Sequence, residues 1–179
     1  MKRSELEWLI QKTEAKLKEQ QELLQELYQR LEALTIQEKE RQKYISSKEI
    51  IDLIERKVGK KTNMSTIKRW ADEGYLGEVV DEKDKFWALQ SKQGKKRYLY
   101  AKVDTYRFLY EEKGYLLPEY EVLDRVLVTQ SKGEPLIGII IDSHLHEDEF
   151  HYVIQIEGSF DTLKNVKERN IQLMQGVDE

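Results

Sequence analysis

The stretch Ser65–Gly77, STIKRWADEGYLG, decides how this sequence is read. Ile67, Trp70 and Ala71 lie at i, i+3 and i+4, which gathers them on one side of a helix. Ser65, Thr66, Lys68 and Arg69 then face outward, with Asn63 and Met64 at the N-terminal end. The acids Asp72 and Glu73 fall at the far end. Gly74 suits the left-handed position that stops a helix, and Tyr75 and Leu76 return the chain to a core. Upstream, Ser46 or Ser47 caps an earlier helix, and Glu49, three residues after Ser46, completes a capping box. Ile50, Ile51, Leu53 and Ile54 form the inner face of that helix. VGKKTN, Val58–Asn63, is a turn whose Thr62 or Asn63 caps the second helix. The pattern predicts two short helices joined by a turn. Short polar side chains at the start of the second, Asn63, Ser65 and Thr66, allow close approach to base edges. Lys68 and Arg69, a turn later, reach guanine acceptors or phosphates. The helix N-terminus itself favours an anion.

Downstream, two apolar-aromatic runs, Phe86–Leu89 and Tyr98–Tyr100, flank QSKQGKK, Gln90–Lys96, and predict a β-hairpin with a basic tip. Lys92, Gln93, Lys95, Lys96 and Arg97 are placed to touch phosphates, contacts that supply affinity and salt dependence rather than sequence choice. VDTYRFLYEE, Val103–Glu112, closes the unit as a helix with Val103, Tyr106, Phe108, Leu109 and Tyr110 apolar. The order helix, turn, TIKRWADEGYL (Thr66–Leu76), hairpin, GKKRYLYAKVDTYRFL (Gly94–Leu109) resembles the winged helix-turn-helix of MerR-type regulators and phage excisionases over residues 44–114. The resemblance implies a DNA-binding unit in which Thr66, Lys68 and Arg69 take DNA-facing positions and Ile67 and Trp70 mainly packing ones. MerR-type regulators carry their dimerising helix after this unit. Here a long helix precedes it, so metal or drug sensing is not implied.

That long helix is legible over residues 4–43, which contain neither Gly nor Pro. Ser4 is the expected N-cap and Glu7 its capping-box partner. Leu6, Ile10, Thr13, Leu17, Gln20, Leu24, Leu27, Leu31 and Leu34 alternate steps of four and three, the seam of a heptad repeat with Ile10, Leu17, Leu24 and Leu31 at a and the rest at d. Such a helix extends roughly 60 Å. Leu9, Leu23 and Tyr28 widen its apolar face. Two readings follow: self-association through Leu6, Ile10, Leu17, Leu24, Leu27, Leu31 and Leu34, as a dimer or higher oligomer, or packing on the chain's own core. Flanking positions such as Lys16 with Gln21 and Arg30 with Thr35 form no charge pairs that set a direction.

Charge divides the 179 residues into thirds. Residues 1–43 are neutral, 44–116 carry four more bases than acids, and 117–179 carry eight more acids than bases, for a net −4. After Pro118 the pattern changes to short alternating strands, EVLDRVLVTQ, PLIGIIIDSHL, FHYVIQI and KNVKERNIQLM. Their rhythm resembles a Tudor- or KOW-type SH3-like barrel, which implies a small bent barrel over residues 119–175. Its acidity argues against phosphate contact and for a protein or peptide partner, with Phe150, Tyr152 and Phe160 either lining a groove or filling the barrel. His144, His146 and His151, with Asp148 and Glu149, are read as a solvated hairpin loop rather than a metal site. The absence of cysteine excludes disulfides and thiolate zinc sites. No catalytic constellation and no phosphate-cradling glycine loop is present, so neither an enzyme nor a cofactor is expected. No apolar run reaches 18 residues and no signal-peptide core stands at the N-terminus, so a cytoplasmic protein without membrane contact is expected.

The expected fold class is α+β in three parts: a coiled-coil helix over 1–43, a winged helix-turn-helix over 44–116 and a small SH3-like barrel over 119–175. The expected function is sequence-specific binding of double-stranded DNA by a self-associating transcriptional regulator. The alternatives are an accessory factor of a phage, plasmid or mobile element, and a scaffold that binds proteins rather than DNA.

Overall fold

The computed structural model describes residues 2–89 and 94–175. Helix and sheet are mixed in an α+β arrangement, with a long helix at the N-terminal end and a sheet at the C-terminal end. The chain divides into two compact units, Met1–Lys43 with Val80–Arg97, and Tyr44–Val79 with Tyr98–Glu179.

The first unit is dominated by α1 (Arg3–Arg41), a single helix of 39 residues. It starts one residue before the expected cap. The Lys2 backbone N–H donates to Glu5 Oε2 at 2.9 Å, which leaves Ser4 inside the first turn. No residue of α1 is buried, and the seam from Leu6 to Leu31 stays about half exposed wherever it is leucine or isoleucine. The reading that packs this face on the chain's own core is therefore not met over Leu6–Leu31. Arg3–Glu7 and Arg30–Glu26 pairs decorate the surface, worth about 0.3–0.5 kcal/mol each at such exposure.

The C-terminal end of α1 is different, because a second segment covers it. The chain passes through β2 (Val79–Asp81) into α4 (Glu82–Lys85) and a 3₁₀ turn, Trp87–Leu89. The strand expected at Phe86–Leu89 is absent for a local reason and a tertiary one. The Asp81 carboxylate accepts the Lys83 N–H at 2.9 Å and so initiates a helical turn. The Ala88 N–H then donates to Gln37 Oε1 of α1 at 2.9 Å, instead of to a neighbouring strand. Leu34, the last seam position, is half-buried here. With Arg30, Leu31, Trp87 and Ala88 it borders a groove of about 570 Å³.

In the second unit β1 (Tyr44–Ser46) pairs antiparallel with β3 (Tyr98–Ala101), Ile45 opposite Tyr100. β1 leads directly into α2 (Ser47–Val58). Ser46 Oγ accepts the Glu49 N–H at 3.2 Å and the Ser46 N–H donates to Glu49 Oε2 at 2.7 Å, so the capping box forms. Gly59, at φ +67°, ends the helix. α3 (Met64–Asp72) follows, then α5 (Lys102–Glu111) after β3. Ile50, Ile54, Ile67 and Leu109 are wholly buried between these helices and strands, at about 1.5–3 kcal/mol of apolar transfer for each.

The C-terminal sheet is antiparallel, in the order β7-β6-β5-β4-β8, from β4 (Arg125–Val128), β5 (Leu136–His146), β6 (Glu149–Ile156), β7 (Thr162–Lys167) and β8 (Ile171–Leu173). The segment expected as one strand, Lys164–Met174, is two, separated by a 3₁₀ turn at Glu168–Asn170 that returns β8 to the edge of β4. A Cβ at Gly138 would lie 2.5 Å from Gln155 O and Ile154 Cγ2, so glycine is what lets β5 approach β6 this closely. His144 and His146 belong to β5 and His151 to β6, not to a loop, and His151 is buried. Phe150 and Tyr152 are buried, whereas Phe160 is 99% exposed.

The expected parts 44–116 and 119–175 share one continuous core. Val126, Ile140, Phe150, Tyr152 and Ile154 join the cluster that holds Ile45, Ile54 and Ile67. The Tyr110 ring meets Phe150 edge-on at 5.3 Å, and Lys102 Nζ stands 3.1 Å from Asp148. Charge composition changes at Pro118, but packing does not.

The turn after α3 supplies a test. Gly77 has φ +69°, and a Cβ there would meet Asp104 Oδ2 at 2.4 Å, near the start of α5. Gly74, at φ +85°, faces open space. Gly77→Ala is expected to lower stability by at least ~2 kcal/mol in urea unfolding, and Gly74→Ala by about 1 kcal/mol. Equal losses would mean that the approach of Gly77 to α5 is not limiting.

Candidate nucleic-acid interface

α3 is held at its start by one side chain. Asn63 Oδ1 accepts the Thr66 N–H at 2.9 Å, the Thr66 hydroxyl at 2.9 Å and the Ser65 hydroxyl at 2.7 Å. Asn63 is thus the N-cap. The Ser65 and Thr66 hydroxyls spend their protons on it and keep their oxygens as acceptors. Asn63 and Ser65 are exposed and Thr66 is half-buried.

The buried side of α3 is fixed by aromatic packing. Ile67 is fully buried, and Trp70 lies edge-on to Phe108 with ring centroids 5.2 Å apart. Phe108 also stacks on Tyr75, 4.7 Å away and nearly parallel at 14°. The Lys113 ammonium sits 5.3 Å over the Trp70 ring. With Ile67 and Trp70 committed to the core, helical periodicity sends Lys68 and Arg69 outward. Both are exposed, and neither forms an ion pair among the described residues.

The expected phosphate contacts of the hairpin lie in the other unit. Lys92 and Gln93 fall outside the described residues. Lys95, Lys96 and Arg97 are exposed, but two of them are already balanced. Lys96 Nζ is 3.3 Å from Asp81, and Arg97 Nε is 3.6 Å from Glu82, which also lies 3.5 Å from Arg41. Partial burial raises the Asp81 carboxyl, yet the Lys83 N–H and the Lys96 ammonium together hold it below its ordinary value. Lys83 donates in turn to the Gly94 carbonyl. Lys95 has no ion-pair partner among the described residues. The structure therefore gathers Ser65, Thr66, Lys68 and Arg69 on α3 behind the Asn63 cap, and sets Lys96 and Arg97, but not Lys95, beside acids of their own unit. Asp81 and Glu82 were missed as partners of the basic tip. The signal was available as the acidic run DEKD, Asp81–Asp84, preceding KKR, Lys95–Arg97.

The histidine cluster has defined geometry on the sheet. His151 faces His144 across the β5–β6 pair with ring centroids 5.9 Å apart, and lies 4.9 Å from His146. Glu149 is engaged by Lys167 at 2.6 Å and by His151 at 3.1 Å. These contacts, Lys167 first, hold its carboxyl below the ordinary range. Among the described residues no group of three or more His, Asp or Glu is arranged to hold a metal ion, and no helix is long and apolar enough to cross a membrane.

Comparison of the chain with protein-family models, with curated proteins and with solved structures gives no match.

Asn63→Ala removes three hydrogen bonds at the start of α3 and is expected to cost about 1 kcal/mol of stability, whereas Asn63→Asp retains most of it. Thermal unfolding of the two variants checks this, and an unchanged Asn63→Ala midpoint would remove Asn63 from the capping role.

Proposed function

We propose that the chain binds double-stranded DNA sequence-specifically through α3 and acts as a self-associating transcriptional regulator. The observation that carries this reading is the division of α3 into two faces. One is locked into the core by Ile67 and Trp70. The other presents Ser65, Lys68 and Arg69, with both cations unpaired among the described residues. Short polar groups before long basic ones suit a helix entering the major groove, where Lys and Arg read guanine O6 and N7.

Three further features support the arrangement. The succession α2, turn, α3, β2, α4, a 3₁₀ turn, β3, α5 keeps the order of a winged helix-turn-helix with a short helical segment inserted between its two strands. The meander β4 to β7, with β8 returning beside β4 after a 3₁₀ turn, follows the order of a small SH3-like barrel. The exposed seam of α1 suits self-association. In this reading the acidic C-terminal sheet meets a protein partner. An accessory factor of a mobile element would use the same DNA-reading face. A protein-binding scaffold is the second reading, favoured by the internal pairing of Lys96 and Arg97 with Asp81 and Glu82.

Selection of duplexes from a random pool tests the proposal directly, and the absence of an enriched motif would favour the scaffold. The Lys68→Glu/Arg69→Glu double variant is expected to bind the selected duplex about 100-fold more weakly, with unchanged circular dichroism, because two base or phosphate contacts become repulsions. Wild-type binding by this variant in a gel shift would rule out α3 as the reading helix. Lys95→Ala is expected to weaken all sequences alike and to lower the salt slope by about 1. Lys96→Ala is expected to change it less, because the bound state shares Lys96 with Asp81.

A further inference from the structure

We propose that α1 pairs with α1 of a second copy as a parallel, in-register two-stranded coiled coil. The inference rests on the self-association reading above and adds its direction. The apolar seam is exposed from Leu6 to Leu31, and no residue of α1 is buried. Two seam positions are polar, and the structure separates them. The Thr13 hydroxyl donates to the Leu9 carbonyl at 2.8 Å, so this residue offers the seam a methyl group and no unpaired donor. Gln20 makes no hydrogen bond among the described residues, so its amide is the group that the partner must satisfy.

In a parallel, in-register pair Gln20 meets Gln20 of the second copy. A primary amide is both donor and acceptor, so two of them complete each other across the axis. This is how a single polar layer sets register and strand number. An antiparallel pair sets each a position against a d position. One such register places Ile10 against Leu27 and Gln20 against Leu17. The other places Ile10 against Leu34 and Gln20 against Leu24. Either leaves the amide facing an aliphatic side chain, which costs stability. The second register also brings Lys16 opposite Arg30, and it needs Leu34, which is already half-buried beside Ala88 and Trp87. The parallel arrangement has no like-charge flank. It sets Leu23 against Tyr28 of the second copy, joining two apolar side chains that are both more than half exposed in the single chain.

The chain contains no cysteine, so one introduced thiol reports direction without background. Ile10→Cys and Leu27→Cys are made separately in the full chain, oxidised mildly and run on non-reducing gels, with mass from light scattering. Each variant alone is expected to become mostly a disulfide-linked dimer, since each thiol faces its own copy. Dimeric mass with no crosslink in either single variant overturns the direction while leaving self-association in place. A crosslink found only in the equimolar mixture then identifies the antiparallel register that sets Ile10 against Leu27. Monomeric mass without a crosslink overturns both this inference and the reading beneath it.

Discussion

The side that α3 shows to solvent depends on where Trp70 is held. A helix of nine residues has too few hydrogen bonds to stand alone in water, so its position is dictated by what it buries. Trp70 is that anchor. Its ring meets Phe108 edge-on, with Lys113 above it, and truncating such a buried aromatic typically costs about 3–5 kcal/mol. Phe108 stacks on Tyr75 as well, so one ring from α5 fixes both the end of α3 and the chain leaving it. Once Ile67 and Trp70 point inward, the 3.6-residue period leaves Lys68 and Arg69 no route to the core. Their exposure is a consequence of packing rather than of charge.

The boundaries of α2 and α3 were legible, whereas the start of α1 was not, because Lys2 and Glu5 take the cap expected of Ser4 and Glu7. Caps and left-handed glycines act within four residues of one another, so Ser46 with Glu49, a cap at Thr62 or Asn63, and Gly74 could be read from local chemistry, and the structure selects Asn63. The heptad seam was legible because periodicity is also local. What escaped the sequence depends on distant partners. β1 is three residues long and exists through its pairing with β3, more than fifty residues later. The Phe86–Leu89 run has strand composition, yet Gln37 supplies an acceptor that a 3₁₀ turn reaches and a strand would not. The break at Glu168–Asn170 is of the same kind, because it is needed only so that β8 can return to β4. At the candidate interface the composition of the face was readable, and the acidic run Asp81–Asp84 before Lys95–Arg97 hinted at the pairing of Lys96 and Arg97 with Asp81 and Glu82, but the pairing itself depends on how the intervening segment folds back.

The change of composition at Pro118 is not matched by a break in the core. The change from four excess bases to eight excess acids suggests a boundary, but charge describes surfaces and the boundary of a unit is set by its core. Val126 and Ile140 are buried with Ile54 and Ile67 in one cluster. Lys102 on α5 meets Asp148, so part of the acidic excess is met by a basic neighbour.

That internal neutralisation bears on how the proposed DNA contact would work. Non-specific affinity comes from phosphate neutralisation and grows with the number of free cations. A chain of net charge −4, with two of its described hairpin cations already balanced by carboxylates, gains little from that source. In the proposed complex a larger share of binding would then fall to direct contacts from Lys68 and Arg69, the contacts that would discriminate between bases. Two such contacts per copy are few. Doubling the reading face by pairing α1 with a second copy multiplies the discrimination rather than adding to it, provided the two faces meet half-sites of matching spacing. On the proposed function, the weak electrostatic background and the long exposed seam of α1 are linked. A protein that attracts duplex poorly as one chain has most to gain from binding as two.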